Sequence, residues 1–185
     1  AAPGALDRGF GPPPICPPLG LMYISAWLRE HMGGIETRVV DAAVDMHRAE
    51  DLTAVLDDFQ PDLVGLSGLT HETTLFARFA EIVHAWDARV PLVAGGPIAS
   101  SDPEGVLRRM PSIRAACVGE GEQTMAEIVT SLRSGRDIAS VKGIAVRDAQ
   151  GVARRTPRRP FLPDLNVLPR LDWDEVNLDA YGRVY

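Results

Sequence analysis

The chain has 185 residues, of which 45% are apolar and 24% charged, and its formal net charge is −6. This length suits one α/β domain with an appendage, and the composition is that of an ordinary globular domain. The acidic balance, without a basic stripe, argues against nucleic acid as a partner. No apolar run is long enough for a membrane span and no signal peptide opens the chain, so we expect a cytoplasmic protein without membrane contact.

The two cysteines of the chain lie in different settings. Cys16 stands in a proline-rich loop, and Cys117 stands inside an apolar run. Two cysteines so far apart suggest neither a disulfide framework nor a metal cluster. Cys117 is most simply a small buried apolar residue.

The chain opens with a loop and continues with alternating helices and strands. Proline and glycine dominate residues 1–18, and proline lacks the N–H that a central strand needs. Apolar residues at helical spacing predict a first helix from about Leu19 to the stop at 33–34, and a strand is expected over Thr37–Ala42. The same rules predict, in chain order, a helix over 52–59, a strand over 62–69, a helix over 75–86, a strand from 91, a helix over 103–110, a strand over 114–118 and a helix over 123–133.

Strands that alternate with helices over short connections predict a parallel sheet covered on both faces. The expected fold class is a doubly wound, Rossmann-like α/β domain of the flavodoxin-like type, with strand order 2-1-3-4-5. That order needs its first strand at the centre of the sheet, whereas this chain opens with a loop and then a helix. We therefore expect the first strand upstream of Ala1. A four-stranded sheet of another order is the alternative.

The sequence pattern changes after Gly135. Residues 143–147 and 152–156 predict a β-hairpin, with Gly151 supplying a positive φ angle in the turn. Proline punctuates residues 157–185, which have too little apolar content for a core of their own. We divide the chain into a ligand-binding domain over 1–135, a hairpin appendage over 136–156 and a linker over 157–185.

Small residues end two neighbouring strands of the predicted sheet. Ser67-Gly68-Leu69 ends the apolar run from residue 62, and Gly95-Gly96 ends the run from residue 91. In an open α/β sheet, ligands bind outside the carboxyl ends of the strands. Since glycine has no Cβ, a ligand can come close to the backbone there. The two strand ends together predict a binding edge.

Four blocks of sequence stand at the starts and ends of the predicted elements. They are Pro17-Pro18-Leu19-Gly20-Leu21, Ser67-Gly68-Leu69 with Gly95-Gly96, Gly119-Glu120-Gly121-Glu122, and the hairpin with its tail through Pro163-Asp164-Leu165 and Leu168-Pro169. Each block alone is weak, and their order and placement over nearly the whole chain carry the argument. Together they resemble the N-terminal cobalamin-binding domain of the cobalamin-dependent radical-SAM enzymes.

The resemblance implies that the chain binds cobalamin and positions it for a radical-SAM reaction, with methyl transfer as the expected outcome. A downstream radical-SAM domain of the same chain would be its partner, and S-adenosylmethionine and a four-iron four-sulfur cluster would be further cofactors of the full-length protein. The chain's two cysteines cannot supply the Cys-x-x-x-Cys-x-x-Cys set that binds this cluster. The chain would therefore not be catalytic alone.

The resemblance also implies which residues lie at the cofactor. The Ser67 loop and the turn at 95–96 would flank the dimethylbenzimidazole nucleotide tail, with the corrin ring over the strand ends. The expected cofactor-binding residues are Pro18, Gly20, Ser67, Gly68, Leu69, Thr70, Gly95, Gly96, Pro97, Gly119, Glu120 and Gly121. The alternative for 95–97 is an ordinary strand-to-helix turn. The alternative for Glu120 and Glu122 is that acidic residues stabilise the start of the helix through its dipole.

The loop that would carry a cobalt-ligating histidine departs from that of other cobalamin carriers. Those carriers place Asp-x-His-x-x-Gly after the first strand, whereas the corresponding loop at 11–18 contains no histidine. The tripeptide at 45–47 repeats Asp-x-His without the glycine, and we interpret it as a solvated helix entry. Cobalt is thus expected without a protein histidine. His71 is the remaining candidate ligand, against its interpretation as a solvated helix residue.

Other functions fit parts of the pattern less well. A phosphoacceptor receiver needs an aspartate where Ser67-Gly68-Leu69 ends its strand. A nicotinamide-binding domain needs Gly-x-Gly-x-x-Gly, and the block at 119–122 lacks the third glycine and follows the last parallel strand. The remaining alternative is a degenerate domain of the same fold that has lost cobalamin and docks a substrate or partner.

Overall fold

A computed structural model describes residues 17–182 of the chain. The predicted loop at 11–18 therefore lies almost entirely outside the described residues, as does Cys16. The helices are α1 (Leu19–His31), α2 (Ala42–Asp45), α3 (Asp51–Phe59), α4 (Thr73–Trp86), α5 (Gly96–Ser101), α6 (Pro103–Arg109), α7 (Glu122–Arg133) and α8 (Leu178–Gly182). The strands are β1 (Val64–Ser67), β2 (Leu92–Gly95), β3 (Ile113–Cys117), β4 (Ile144–Arg147) and β5 (Ala153–Arg155).

The strands form one sheet in the order β1-β2-β3-β4-β5. β1, β2 and β3 are parallel, whereas β4 runs antiparallel to β3 and β5 antiparallel to β4. This mostly parallel sheet, flanked by helices, confirms the Rossmann-like α/β fold class. Of the predicted order 2-1-3-4-5, the structure contains the 3-4-5 run, and the remainder of that order is not confirmed. The predicted hairpin is present as β4 and β5 and extends the sheet directly.

Helices cover the sheet on both faces. Since successive strand residues point to opposite sides, each strand contributes side chains to both cores. Leu92 and Ala94 face α3, α4, α5 and α6 in one apolar core. Val93 and Cys117 face the other way and pack against α1 and α7, where Met125 lies among the buried residues. β2 is therefore buried on both sides, as its unbroken apolar run predicts.

Helix starts follow the expected capping chemistry at α6 and differ from expectation at α5. The Gly105 N–H donates to Asp102 Oδ1 at 2.9 Å, which makes Asp102 the N-cap of α6. α5 begins at Gly96, directly after β2, and was not predicted. Its six residues offered too short a stretch for helical periodicity to be recognised.

The strand predicted over Thr37–Ala42 is wrong. Residues 35–41 form no ladder, and Asp41 instead caps α2 by accepting the Ala43 N–H at 3.0 Å. A strand needs a neighbouring strand, and among the described residues none lies beside the outer edge of β1. Val40 and Ala42 pack against the core as partly buried residues, which explains their apolar character.

The tripeptide at 45–47 runs from the last residue of α2 into the turn that leads to α3, and it is only partly solvated. The His47 N–H donates to Asp51 Oδ2 at 2.9 Å at the start of that helix, and His47 is exposed. Met46 is 6% exposed and belongs to the core. The interpretation as a solvated entry is therefore correct for His47 and wrong for Met46, whose apolar side chain anchors the turn.

The tail after the hairpin lies against α1 and the segment that precedes α2. The Ser25 hydroxyl and the Arg29 guanidinium both donate to the carboxylate of Glu175, which they hold against α1. The Tyr181 hydroxyl donates to Asp41 Oδ2 at 2.7 Å. Over its described part, the predicted linker is thus packed on the domain. Within residues 17–182, no helix has the length and apolar character needed to cross a membrane.

Candidate functional site

The carboxyl ends of β1 and β2 form a trough without bulky side chains, on the sheet face that α1 and α7 cover. Strand alternation places Gly65 and Ser67 of β1 on this face, and the parallel register sets Ser67 beside Gly95 of β2. Both β1 residues are exposed. We call the surface formed by Gly65, Ser67 and Gly95 the trough. Its floor is backbone, so a flat ligand can approach the sheet closely.

Gly95 leaves space that nothing in the described chain fills. A Cβ on Gly95 would have the Leu66 carbonyl oxygen as its nearest neighbour, at 3.8 Å. The Gly95 backbone is extended, with φ −140°, a conformation open to any residue. The chain's own packing therefore does not require glycine here, whereas a ligand lying over the strand end would.

Gly68 and Gly96, in contrast, are required by the chain's own packing. Gly96 has φ +75°, and a Cβ on it would lie 2.6 Å from Ser67 Oγ and 3.0 Å from the Gly68 carbonyl oxygen. A Cβ on Gly68 would lie 2.8 Å from Cδ2 of Phe76. The Ile98 N–H donates to the Gly68 carbonyl at 3.1 Å. These contacts lock the turn after β2 onto the loop after β1.

The loop after β1 is shaped by an acidic residue that the sequence analysis did not select. Glu72 Oε2 accepts the Leu69 N–H at 2.7 Å, and the Thr73 hydroxyl donates to the Thr70 carbonyl at 2.9 Å. The available signal was an acid three residues after the loop's last apolar position. Leu69 is 47% exposed and His71 is also exposed, so the loop presents both side chains outward beyond the trough.

The loop between β3 and α7 is tied to α5 and to the tail. The Gly119 N–H donates to Ser100 Oγ at 3.1 Å, and Gly119 has φ +84°. Glu120 Oε2 accepts the Leu162 N–H at 2.7 Å. The Glu120 carboxylate therefore holds the tail in place, in addition to the helix-terminus role that its position favours.

The N-terminal half of α1 lies beside the start of α7. A Cβ on Gly121 would collide with Cδ1 of Ile24, at 2.5 Å, so glycine allows these two helices to approach closely. Pro18 immediately precedes α1 and is half-buried, while Gly20 is exposed. A Cβ on Gly20 would meet no atom within 4 Å. Gly20, like Gly95, is free of any packing requirement in the described chain.

A groove of about 400 Å³ adjoins the β3–α7 loop. The Arg158 guanidinium lies 5.3 Å from the centroid of the Phe161 ring along this groove. Arg155 hydrogen-bonds Glu104 at 2.7 and 2.8 Å and thereby holds the pKa of that carboxyl below its ordinary value. The guanidinium charge of Arg155 is thus already paired within the domain.

The structure brings the predicted strand-end residues into one site. Ser67, Gly68, Gly95 and Gly96 are immediate neighbours, and Pro97 is exposed beside them in the first turn of α5. The block at 119–121 lies at the end of β3, the next strand in the sheet. Sequence reasoning missed Gly65, for which the signal was a glycine inside a strand, where a ligand or backbone often approaches closely.

Known proteins have sequences related to most of this chain. A family model described as the B12 binding domain matches residues 12–129. An uncharacterised methyltransferase from Pyrococcus horikoshii is 30% identical over 165 residues, covering 89% of this chain and 35% of that protein. An anaerobic magnesium-protoporphyrin IX monomethyl ester cyclase from Rubrivivax gelatinosus is 28% identical over 168 residues, covering 89% and 30%. The chain spans about a third of the length of these curated relatives.

Solved structures share the fold. The cobalamin-dependent S-adenosylmethionine radical enzyme OxsB, with aqua-cobalamin and S-adenosylmethionine bound, matches with a TM-score of 0.76 at 23% identity, over 94% of this chain and 23% of that one. The radical S-adenosylmethionine methyltransferase TsrM from Kitasatospora setae, with cobalamin and an iron–sulfur cluster bound, matches with a TM-score of 0.66 at 22% identity, over 88% of this chain and 30% of that one. At this identity the likeness shows the fold alone.

Proposed function

Because the chain belongs to the B12-binding domain family, we propose that it holds cobalamin at the trough and positions it for methyl transfer by a radical-SAM domain of the same protein. The open space over Gly95 carries the proposal for the position of the site. Family membership confirms the resemblance drawn from the sequence and the cofactor, cobalamin, that it implies. It does not favour the alternative of a degenerate docking module.

The trough fits the nucleotide tail of cobalamin. A planar base with its ribose needs a slot free of side-chain bulk, and Gly95 leaves such a slot, with the tip of Met125 at its edge beside Gly65 on the neighbouring strand. Ser67 adds an exposed hydroxyl that can donate or accept a hydrogen bond. The corrin ring would then lie over the strand ends, where Leu69 presents an apolar side chain, 47% exposed.

The role of the chain is to bind and orient the cofactor. Cobalamin, when bound, supplies the cobalt centre for methyl transfer. Among residues 17–182, no group of three or more His, Cys, Asp or Glu side chains could hold a metal ion, so cobalt would be retained through the corrin. His71, exposed in the loop after β1, stays the candidate protein ligand.

The curated relatives are about three times as long as this chain. We therefore propose, for the whole protein, both the methyl-transfer reaction and the radical-SAM domain. Methyl transfer is supported by the methyltransferase relative, and ring cyclisation is the alternative supported by the cyclase relative. S-adenosylmethionine and the iron–sulfur cluster would belong to the radical-SAM domain. We propose residues 1–135 as the cobalamin domain, 136–156 as the hairpin addition to its sheet, and 157–185 as the linker.

Replacement of Gly95 by valine tests the position of the site. Valine is compatible with the extended backbone at Gly95, and its Cβ would make only an ordinary contact, 3.8 Å from the Leu66 carbonyl oxygen, so the cofactor-free protein should melt at about the wild-type temperature. Its side chain fills the slot, and we expect the affinity for hydroxocobalamin to fall at least about tenfold, or about 1.4 kcal/mol. The measurement is a spectrophotometric titration of each variant.

Gly33→Val is the matched control, because Gly33 is exposed at the opposite end of α1 and a Cβ there meets no atom within 4 Å. This variant should bind hydroxocobalamin as the wild type does. Equal affinities of the Gly95→Val and Gly33→Val variants would remove the trough from the cofactor site.

A further inference from the structure

Glu122, the first residue of α7, keeps a buried carboxyl oxygen without a partner. The residue is 9% exposed, and its Oε2 atom has no hydrogen-bond partner in the described part of the chain. A buried polar atom left unpaired destabilises a folded protein, and native proteins keep few of them. The helix dipole favours a carboxyl at this position, but it supplies no hydrogen bond to Oε2.

Glu122 shares a face of α7 with the side chain that reaches the trough. Met125, three residues later, lies on the same side of the helix, and its Cε atom is 3.6 Å from the position of a Cβ on Gly65. α7 starts at the carboxyl end of β3, so Glu122 lies one turn closer to the strand ends than Met125. On β1 the next residue toward that end on the same face is Ser67. Glu122 therefore lies on the side of α7 that faces the upper part of the trough.

We propose that Glu122 accepts a hydrogen bond from a ribose hydroxyl of the cobalamin nucleotide tail, an inference that rests on the proposed function. Hydroxyls donate and carboxyl oxygens accept. The terminal torsion of glutamate is broad, so a donor entering the trough can pair with either oxygen. Binding would thereby satisfy an atom that the cofactor-free domain leaves unpaired. Glu122 would select for cofactors that carry the tail.

The experiment titrates the full chain with hydroxocobalamin and with cobinamide, which keeps the corrin amides and lacks the nucleotide tail. Glu122→Gln retains a carbonyl acceptor and should bind cobalamin within about threefold of the wild type. Glu122→Met has similar bulk and no such acceptor, and its cobalamin affinity should fall about tenfold, with cobinamide affinity unchanged. The cofactor-free Glu122→Met protein should melt at or above the wild-type temperature, because the unpaired oxygen is gone.

Wild-type cobalamin affinity in Glu122→Met overturns the inference and leaves the proposed function standing. Equal losses for cobalamin and cobinamide also overturn it, because the donor would then not be on the tail. A wild-type chain that binds no hydroxocobalamin overturns the proposed function itself. If Glu122→Met does not fold, the wild type is titrated with a cobalamin analogue whose free ribose hydroxyls are replaced by hydrogen, which removes the donor without adding bulk: a loss of about tenfold supports the inference, and unchanged affinity overturns it.

Discussion

The two faces of β1 and β2 share one backbone and differ in what their side chains leave free. On one face, Leu66, Leu92 and Ala94 pack against α4 and its neighbours, and Leu92 is 2% exposed. On the other face, Gly65 and Gly95 contribute no side chain, so the strand ends are open apart from the tip of Met125 beside Gly65. Since side chains alternate along a strand, the same four-residue segment can anchor a core and present a binding surface. The closed face holds the sheet in place while the open face receives a ligand.

The largest expected effect comes from the closed face. Leu92→Ala removes a buried side chain from the core and should lower the free energy of unfolding by about 2–5 kcal/mol. Val152→Ala is the control, because Val152 is 49% exposed and should change stability by less than about 0.5 kcal/mol. Urea unfolding of both variants makes the comparison. Similar losses in the two would show that the closed face is not the core of the domain.

The next largest effect on stability is expected at Gly96, at the boundary of the trough. Gly96→Ala places a Cβ 2.6 Å from Ser67 Oγ at φ +75° and should cost roughly 1–3 kcal/mol of stability. Gly95→Ala adds a Cβ that makes only an ordinary contact, 3.8 Å from the Leu66 carbonyl oxygen, and should be neutral in the cofactor-free protein. Urea unfolding distinguishes the two, and the reverse order of stability would mean that the trough is closed before cobalamin binds.

The smallest effect concerns Cys117 of β3, which lies on the same sheet face as the trough but is buried under α1 and α7. Burial raises the pKa of the Cys117 thiol from 9.0 to about 12. Above pH 9 the thiol ionises in the unfolded chain and stays protonated in the folded one, so folding stability falls as pH rises between those values. At pH 10 the loss is about 1.4 kcal/mol, whereas more than about one pH unit below 9 this thiol contributes almost no pH dependence.

Unfolding free energies of the wild type and Cys117→Ala, measured at pH 8 and pH 10, test this sign. The wild type should lose more stability than the variant over that interval. A difference that stays constant with pH would indicate that solvent reaches Cys117, and that the α7 face is open at β3 as well as at β1.

Much of the candidate site follows from the sequence because strand ends in parallel sheets meet at one edge. Ser67-Gly68 and Gly95-Gly96 could be placed together from the order of the elements alone. The sequence could not predict that Gly96 is required by the chain's own packing and Gly95 is not. The two are the same residue type and differ only in φ and in the atoms around them. Those surroundings come from the loop after β1, which is distant in the chain.

The sequence by itself determined the alternation of helices and strands, the hairpin, and the glycines at the strand ends, since these depend on local periodicity and turn chemistry. Tertiary structure decided the rest. The segment Thr37–Ala42 has strand composition but no neighbouring strand in the described chain, and backbone pairing cannot be read from one segment. The burial of Glu122 depends on how α7 packs over the sheet, because a carboxyl in a first helical turn is equally favourable when it faces water.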